Sequence, residues 1–213
     1  FASAKPDRSP EAKAVRDGKL VTLAVGGKTA LQYQTEPSEV PSPDIPEYFR
    51  HGAHLHPVLT PGGRLVTGNY PPDHRWHRGI WIAWTHTEFE GRKPDFWNMG
   101  KEKGGGLTGE GRCDKLLATW SGPVHSGFRA THRFLDHTAP KPKPALNEEW
   151  TVTAYALTRR GLPAHVFDLV STQTCASGEP LKLPKYFYGG LGFRGHRQWE
   201  DQHKTRYCWY SRR

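Results

Sequence analysis

Alternation of apolar and polar positions is the dominant pattern of this chain. Over residues 19–25, Val21, Leu23 and Val25 fall on one face of an extended run and Leu20, Thr22 and Ala24 on the other. Gly26-Gly27 follows, then a second β-prone run over residues 28–34, and two such runs around Gly-Gly predict a hairpin. Residues 79–87 give the strongest extended signal of the first half. Ile80, Ile82, Trp84 and His86 share one face there, and Trp81, Ala83, Thr85 and Thr87 the other. Residues 48–56, 116–120, 128–135, 150–157 and 164–174 also read as strands, with turns at Pro61-Gly62-Gly63 and Arg159-Arg160-Gly161. No long stretch carries the helical period of about 3.6 residues. The pattern predicts an all-β fold, an antiparallel meander closing as a sandwich or barrel.

Composition changes this picture in one respect. The chain has 213 residues with 23 Gly and 18 Pro, which divide it into short elements, yet 8 Trp, 8 Tyr and 9 Phe supply an aromatic core. Residues 1–17 are polar and are expected to be a loose leader or signal-peptide remnant, with 18–213 a single β-sandwich domain. Ala2-Ser3-Ala4 fits the small-residue pattern that ends a secretory signal. It favours a periplasmic or secreted location, with the cytoplasm as the alternative. No apolar run approaches the roughly 18 residues of a membrane helix, so no membrane insertion is expected. The formal charge is +9, but Lys and Arg are scattered and no nucleic-acid motif occurs; a nucleic-acid partner is not expected, while an anionic substrate would suit the surface. Cys113, Cys175 and Cys208 form no paired motif, which argues against a structural zinc site. The chain closes on an irregular basic and aromatic run after Arg194, and the domain is expected to be incomplete at its C-terminus.

Candidate chemistry concentrates between His54 and Trp97. Five of the 12 His lie between His51 and His77. His54-Leu55-His56 would place two imidazoles on one side of a strand. Asp73-His74-Arg75-Trp76-His77-Arg78-Gly79 stands directly before the strongest strand, where a rigid scaffold holds functional side chains. One reading is acid–base catalysis by His74 and His77 with Asp73 orienting a tautomer, and Arg78 holding a carboxylate. A second is a metal site built from His54, His56, His74 or His77 with Asp73 or Asp95, although the spacing matches no named zinc pattern. Trp81 and Trp84 read as core, and Trp97 after Asp95-Phe96 as a stacking platform. The glycines from Gly104 to Gly111 lack the phosphate-loop pattern and are expected to form a flexible rim. No nucleophile elbow occurs, and no cofactor is expected.

The run His54-Leu-His-Pro-Val-Leu-Thr-Pro-Gly-Gly-Arg64, the motif from Asp73 to Gly79, Trp84, Asp95-Phe-Trp97 and Tyr188-Gly-Gly-Leu-Gly-Phe-Arg194 together resemble the bacterial PmoA-like family, which carries the label methane oxygenase. The resemblance spans roughly residues 15–200 and does not extend to a subunit of the membrane methane monooxygenase. It implies an antiparallel β-supersandwich like that of galactose mutarotases. It also implies a carbohydrate or other polar small molecule as ligand, and His and Arg at the site with a late Glu or Asp as base. His56, Arg78, Asp95, Trp97 and Arg194 would then bind substrate, and His74, His77 and Asp73 would be catalytic, in an epimerase, lyase or hydrolase. The chain departs from the family pattern by carrying Arg75 and Trp76 where Pro and His are usual. A metal-dependent oxygenase or hydrolase and a non-catalytic sugar-binding module are the alternatives.

Overall fold

The computed structural model describes residues 11–99, 106–157 and 164–199. Ten strands form two antiparallel sheets: β1 (Ala12–Asp17), β2 (Leu20–Val25), β3 (Lys28–Gln34), β4 (His54–Val58), β5 (Ile80–Ala83) and β10 (Gly190–Phe193) in one, and β6 (Gly109–Trp120), β7 (His125–Asp136), β8 (Lys143–Tyr155) and β9 (Val166–Cys175) in the other. Two short 3-10 turns, Glu47–Phe49 and Arg197–Trp199, are the helical elements among the described residues. The expected all-β sandwich is the fold.

The sheets pack face to face because alternation gives each an apolar side. Val21, Leu23, Leu31, Tyr33 and Leu55 of the first sheet bury against Phe128, Ala130, Trp150, Val152 and Ala154 of the second. A second cluster joins Trp81 and Ala83 of β5 to Phe89, Phe96, Trp97, Phe134 and Leu146. Trp81 and Ala83 are thus the inward face of β5. Trp84 packs against the same cluster and donates its indole N–H to Gln173 Oε1 at 2.9 Å.

One polar network crosses the core. Tyr33 of β3 lies 2.6 Å from His132 Nε2 on β7, and His132 Nδ1 lies 2.8 Å from Glu148 Oε2 on β8. Ser171 and Gln173 of β9 donate to Glu148 Oε1 at 2.5 and 2.8 Å. Burial pushes the Glu148 carboxyl up, but these donors and the imidazole outweigh it and leave it below its ordinary value.

Four expectations are corrected. Residues 12–17, read as part of a loose leader, pair with β2 as an edge strand in which only Ala12 is buried. The extended run expected over 48–56 begins instead with the 3-10 turn at Glu47–Phe49 behind Pro46, and only His54 onward is strand. Residues 79–87 are strand only from Ile80 to Ala83; His86 has φ +51, which ends the alternation. Cys113 and Cys175 are free thiols. Gly109 and Gly111, expected in a flexible rim, lie instead in β6, and the signal-like Ala2-Ser3-Ala4, Gly104 and Gly105, the Arg159-Arg160-Gly161 turn, Cys208 and the C-terminal run fall outside the described residues.

Candidate functional site

The segment before β5 is made of turns that stack two imidazoles. His74 N–H donates to Pro71 O at 3.1 Å and His77 N–H to His74 O at 2.9 Å. This three-residue step sets the rings of His74 and His77 face to face, 4.6 Å apart and 19° from parallel. Asp73 Oδ2 lies 2.6 Å from His74 Nδ1, so the carboxylate fixes Nδ1 as the protonated nitrogen and leaves Nε2 to act. Arg194, just past β10, clamps the same carboxylate at 2.9 and 3.3 Å. Partial burial pushes the Asp73 carboxyl up, but the hydrogen bonds from His74 and Arg194 prevail and hold it at about 2.

Arg194 reaches Asp73 because the chain crosses there on glycines. Gly68 N–H donates to Arg194 O at 2.8 Å, Arg194 N–H to Gly79 O at 2.7 Å, and Gly79 N–H to Gly68 O at 2.8 Å. Gly192 lets β10 lie on Trp81, whose ring carbons would be 2.6 Å from a Cβ.

A cleft of about 890 Å³ opens over this segment. His74 and His77 line it with Trp76, Trp97, Asp95 and Asn98, and Tyr48, Phe49, Phe187 and Tyr188 complete its walls. Trp97 is 8% exposed, 4.8 Å from the Trp81 ring and 5.5 Å from the Tyr188 ring, so it is a wall fixed by packing. Phe187 is 84% exposed at the rim. Asp95 is saturated from within: Oδ1 accepts the N–H groups of Trp97 and Asn98, each at 2.9 Å, and Oδ2 accepts from Asn98 Nδ2 at 2.6 Å and Thr85 at 3.1 Å. Asn98 Nδ2 also lies 3.2 Å from the Tyr188 hydroxyl.

Of the residues singled out by sequence, His74, His77, Asp95 and Trp97 line the cleft, and Asp73 and Arg194 support His74 from outside its lining. His56 is bound by Thr67 at 2.9 Å, and His54 is buried with Nδ1 on Gly52 O at 3.1 Å. Arg78 is 1% exposed, and its described hydrogen bond runs to Met99 Sδ at 3.6 Å. Burial lowers its guanidinium to about 10, so it stays charged at neutral pH but outside the cleft lining. No three His, Cys, Asp or Glu side chains among the described residues come together as a metal site. Sequence reading missed Asn98, Tyr48, Phe49 and Phe187; the Tyr186-Phe187-Tyr188 run was the available signal for the last.

Burial holds three of these histidines neutral. It lowers His56 and His77 to about 4, with the charges of His74 and Arg194 adding at His77, and lowers His54 to about 3 with help from the Arg78 charge. Their ordinary value is 6.5. The unfolded chain therefore binds these protons at higher pH than the folded one. Stability from this source is complete above about pH 6.5 and declines as pH falls toward 4. The urea midpoint is expected to be lower at about pH 5 than at about pH 7.5, a window above the carboxylate titrations. An equal or higher midpoint at the lower pH would contradict buried neutral histidines.

No helix of the described residues is long and apolar enough to cross a membrane. No curated protein and no solved structure matches the chain. A family model does match residues 20–210, most of the sequence, and the chain therefore belongs to the family of unknown function DUF6807.

Proposed function

We propose that the protein binds a carbohydrate in the cleft beside His74 and His77 and acts on it by imidazole proton transfer. The carrying observation is the composition of the cleft wall: aromatic faces of Trp76, Trp97, Phe187 and Tyr188 interleave with the polar groups of His74, His77 and Asn98. A sugar ring has the complementary surface, with apolar C–H faces and hydroxyl edges. Concave aromatic sites with few placed polar groups are the general form of small-molecule pockets. The reading includes the PmoA-like resemblance and the galactose mutarotase-like supersandwich it implies.

His74 is the proton-transfer group in this reading. Asp73 holds the Nδ1 proton, so Nε2 accepts a proton from the bound sugar, and the adjacent carboxylate stabilises the imidazolium that forms. His77, neutral at pH 7, serves as a hydrogen-bond partner. Asp95 is a positioning residue that shapes the Trp97–Asn98 wall.

Titration of the full chain with neutral and acidic saccharides, followed by tryptophan fluorescence and calorimetry, tests the proposal. At least one saccharide is expected to bind. Phe187→Ala, which removes an exposed ring, is expected to weaken it roughly fivefold, equivalent to one stacking contact of about 1 kcal/mol. His74→Gln should keep affinity within about threefold and abolish turnover; binding with no turnover by either protein would make this a sugar-binding module. Failure to bind any saccharide sinks the proposal.

A further inference from the structure

A second hollow lies on the far side of the cleft wall. It has a volume of about 400 Å³, and it shares Asp95, Asn98 and Tyr188 with the main cleft. The three shared residues are one hydrogen-bonded unit, with Asn98 Nδ2 reaching both the Asp95 carboxylate and the Tyr188 hydroxyl. The two hollows are therefore neighbours across a single partition.

The second hollow has its own aromatic ledge. His86 and Tyr186 line it with their rings 4.9 Å apart and 12° from parallel. His86 has the left-handed φ of +51, a conformation that non-glycine residues hold only where surrounding structure enforces it. Tyr186 is 43% exposed, and its ring stands 4.5 Å from Phe187 and 5.1 Å from Tyr188. Tyr186, Phe187 and Tyr188 are thus a continuous aromatic ridge: Phe187 faces the main cleft, Tyr186 the second hollow, and Tyr188 both. Thr85, Thr87 and Lys93 add polar groups to the second hollow.

We infer that the two hollows are adjoining subsites for one extended ligand, an oligosaccharide that crosses the Asp95–Asn98–Tyr188 partition. A single ring would use only the main cleft and would leave the ledge of Tyr186 and His86 without a role. The inference rests on the carbohydrate reading above and adds the length of the ligand to it.

The test is a chain-length series on the full protein, using cello-, xylo-, manno- and galacturonan-derived saccharides from monosaccharide to hexasaccharide, with calorimetric affinities. In the series that binds, affinity is expected to rise about tenfold or more between the monosaccharide and the trisaccharide. Tyr186→Ala should remove that gain and leave the monosaccharide affinity unchanged, while Tyr186→Phe should retain it, because the ring face is what stacks. Affinity that does not depend on length, or a gain that survives Tyr186→Ala, overturns the second subsite and leaves the carbohydrate reading standing. No binding by any member of the four series overturns both.

Discussion

Gly79→Ala is expected to be the most destabilising glycine substitution in this domain. Gly79 has φ +44, and a Cβ there would lie 2.0 Å from Leu55 O and 2.9 Å from His56 Cβ. Neither neighbour can yield cheaply. The carbonyl belongs to β4, which pairs with β5 at Leu55 and Ile80, the residue after the glycine. Forcing an alanine into left-handed backbone costs about 1–2 kcal/mol, and the overpacking about 1–3 kcal/mol more. A loss of about 4 kcal/mol is a large part of the roughly 5–15 kcal/mol that holds an ordinary domain. At this chain length it should lower Tm by about 8–16 °C. Gly178→Ala is the control, since nothing lies within 4 Å of its Cβ position; a change within about 0.5 kcal/mol is expected. A Gly79→Ala protein that melts like the wild type would show that the crossing of β4 and β5 is not as close as described. Because Gly79 also accepts the Arg194 N–H, displacement here should loosen the clamp on Asp73 and with it the tautomer of His74.

The second large effect is expected at the core network. His132→Ala leaves the Glu148 carboxylate, 3% exposed, without its imidazole partner, and leaves the Tyr33 hydroxyl with only the Cys113 thiol beside it. The buried carboxylate then keeps only Ser171 and Gln173 as donors, and losing a hydrogen-bond partner at a buried polar group costs about 1–3 kcal/mol, more when that group is charged. The pH dependence gives this prediction a sign. In the wild type the lowered carboxyl contributes stability that is complete above its ordinary 4.5 and is lost as pH falls through the folded value. In His132→Ala the burial that already pushes this carboxyl up loses its main opponent, so the folded variant takes a proton more readily. Its deficit against the wild type should therefore shrink on acidification. Adding Glu148→Gln should recover part of the loss at neutral pH by removing the stranded charge. Urea midpoints of the three proteins at two pH values decide this; equal deficits at both would mean that charge is not the cause.

The reach of sequence reasoning is clearest in β7 and β8. Phe128, Ala130, His132 and Phe134 alternate with Arg129, Thr131 and Arg133, and the first set is the buried one. The hairpin of β2 and β3 was equally legible, since Gly26-Gly27 marks its turn between two alternating runs. β1 was not, because it is an edge strand with most side chains in water and therefore no alternation to read. The His54–His56 pair shows the opposite failure. Its period-two spacing is real, but each imidazole is taken up by its own neighbour, Gly52 O for one and Thr67 for the other.

What the sequence determined by itself is local: the faces of the strands, the adjacency of Asp73 to His74, and the three-residue step between His74 and His77 that a pair of turns converts into a stack. The tertiary structure decided which of these groups meet. Segments around Tyr48, His74, Asp95 and Phe187 converge on one cleft through long-range bonds: Gly68, Gly79 and Arg194 join the ends of β5 and β10, Arg75 reaches Asp44, Phe96 N–H donates to Trp84 O, and Asn98 reaches Tyr188. It also decided that Arg78 is enclosed beside Met99, one residue from a histidine that lines the cleft. The physical reason is that periodicity assigns a side chain to a face, while the packing of distant segments decides whether that face meets core, partition or water.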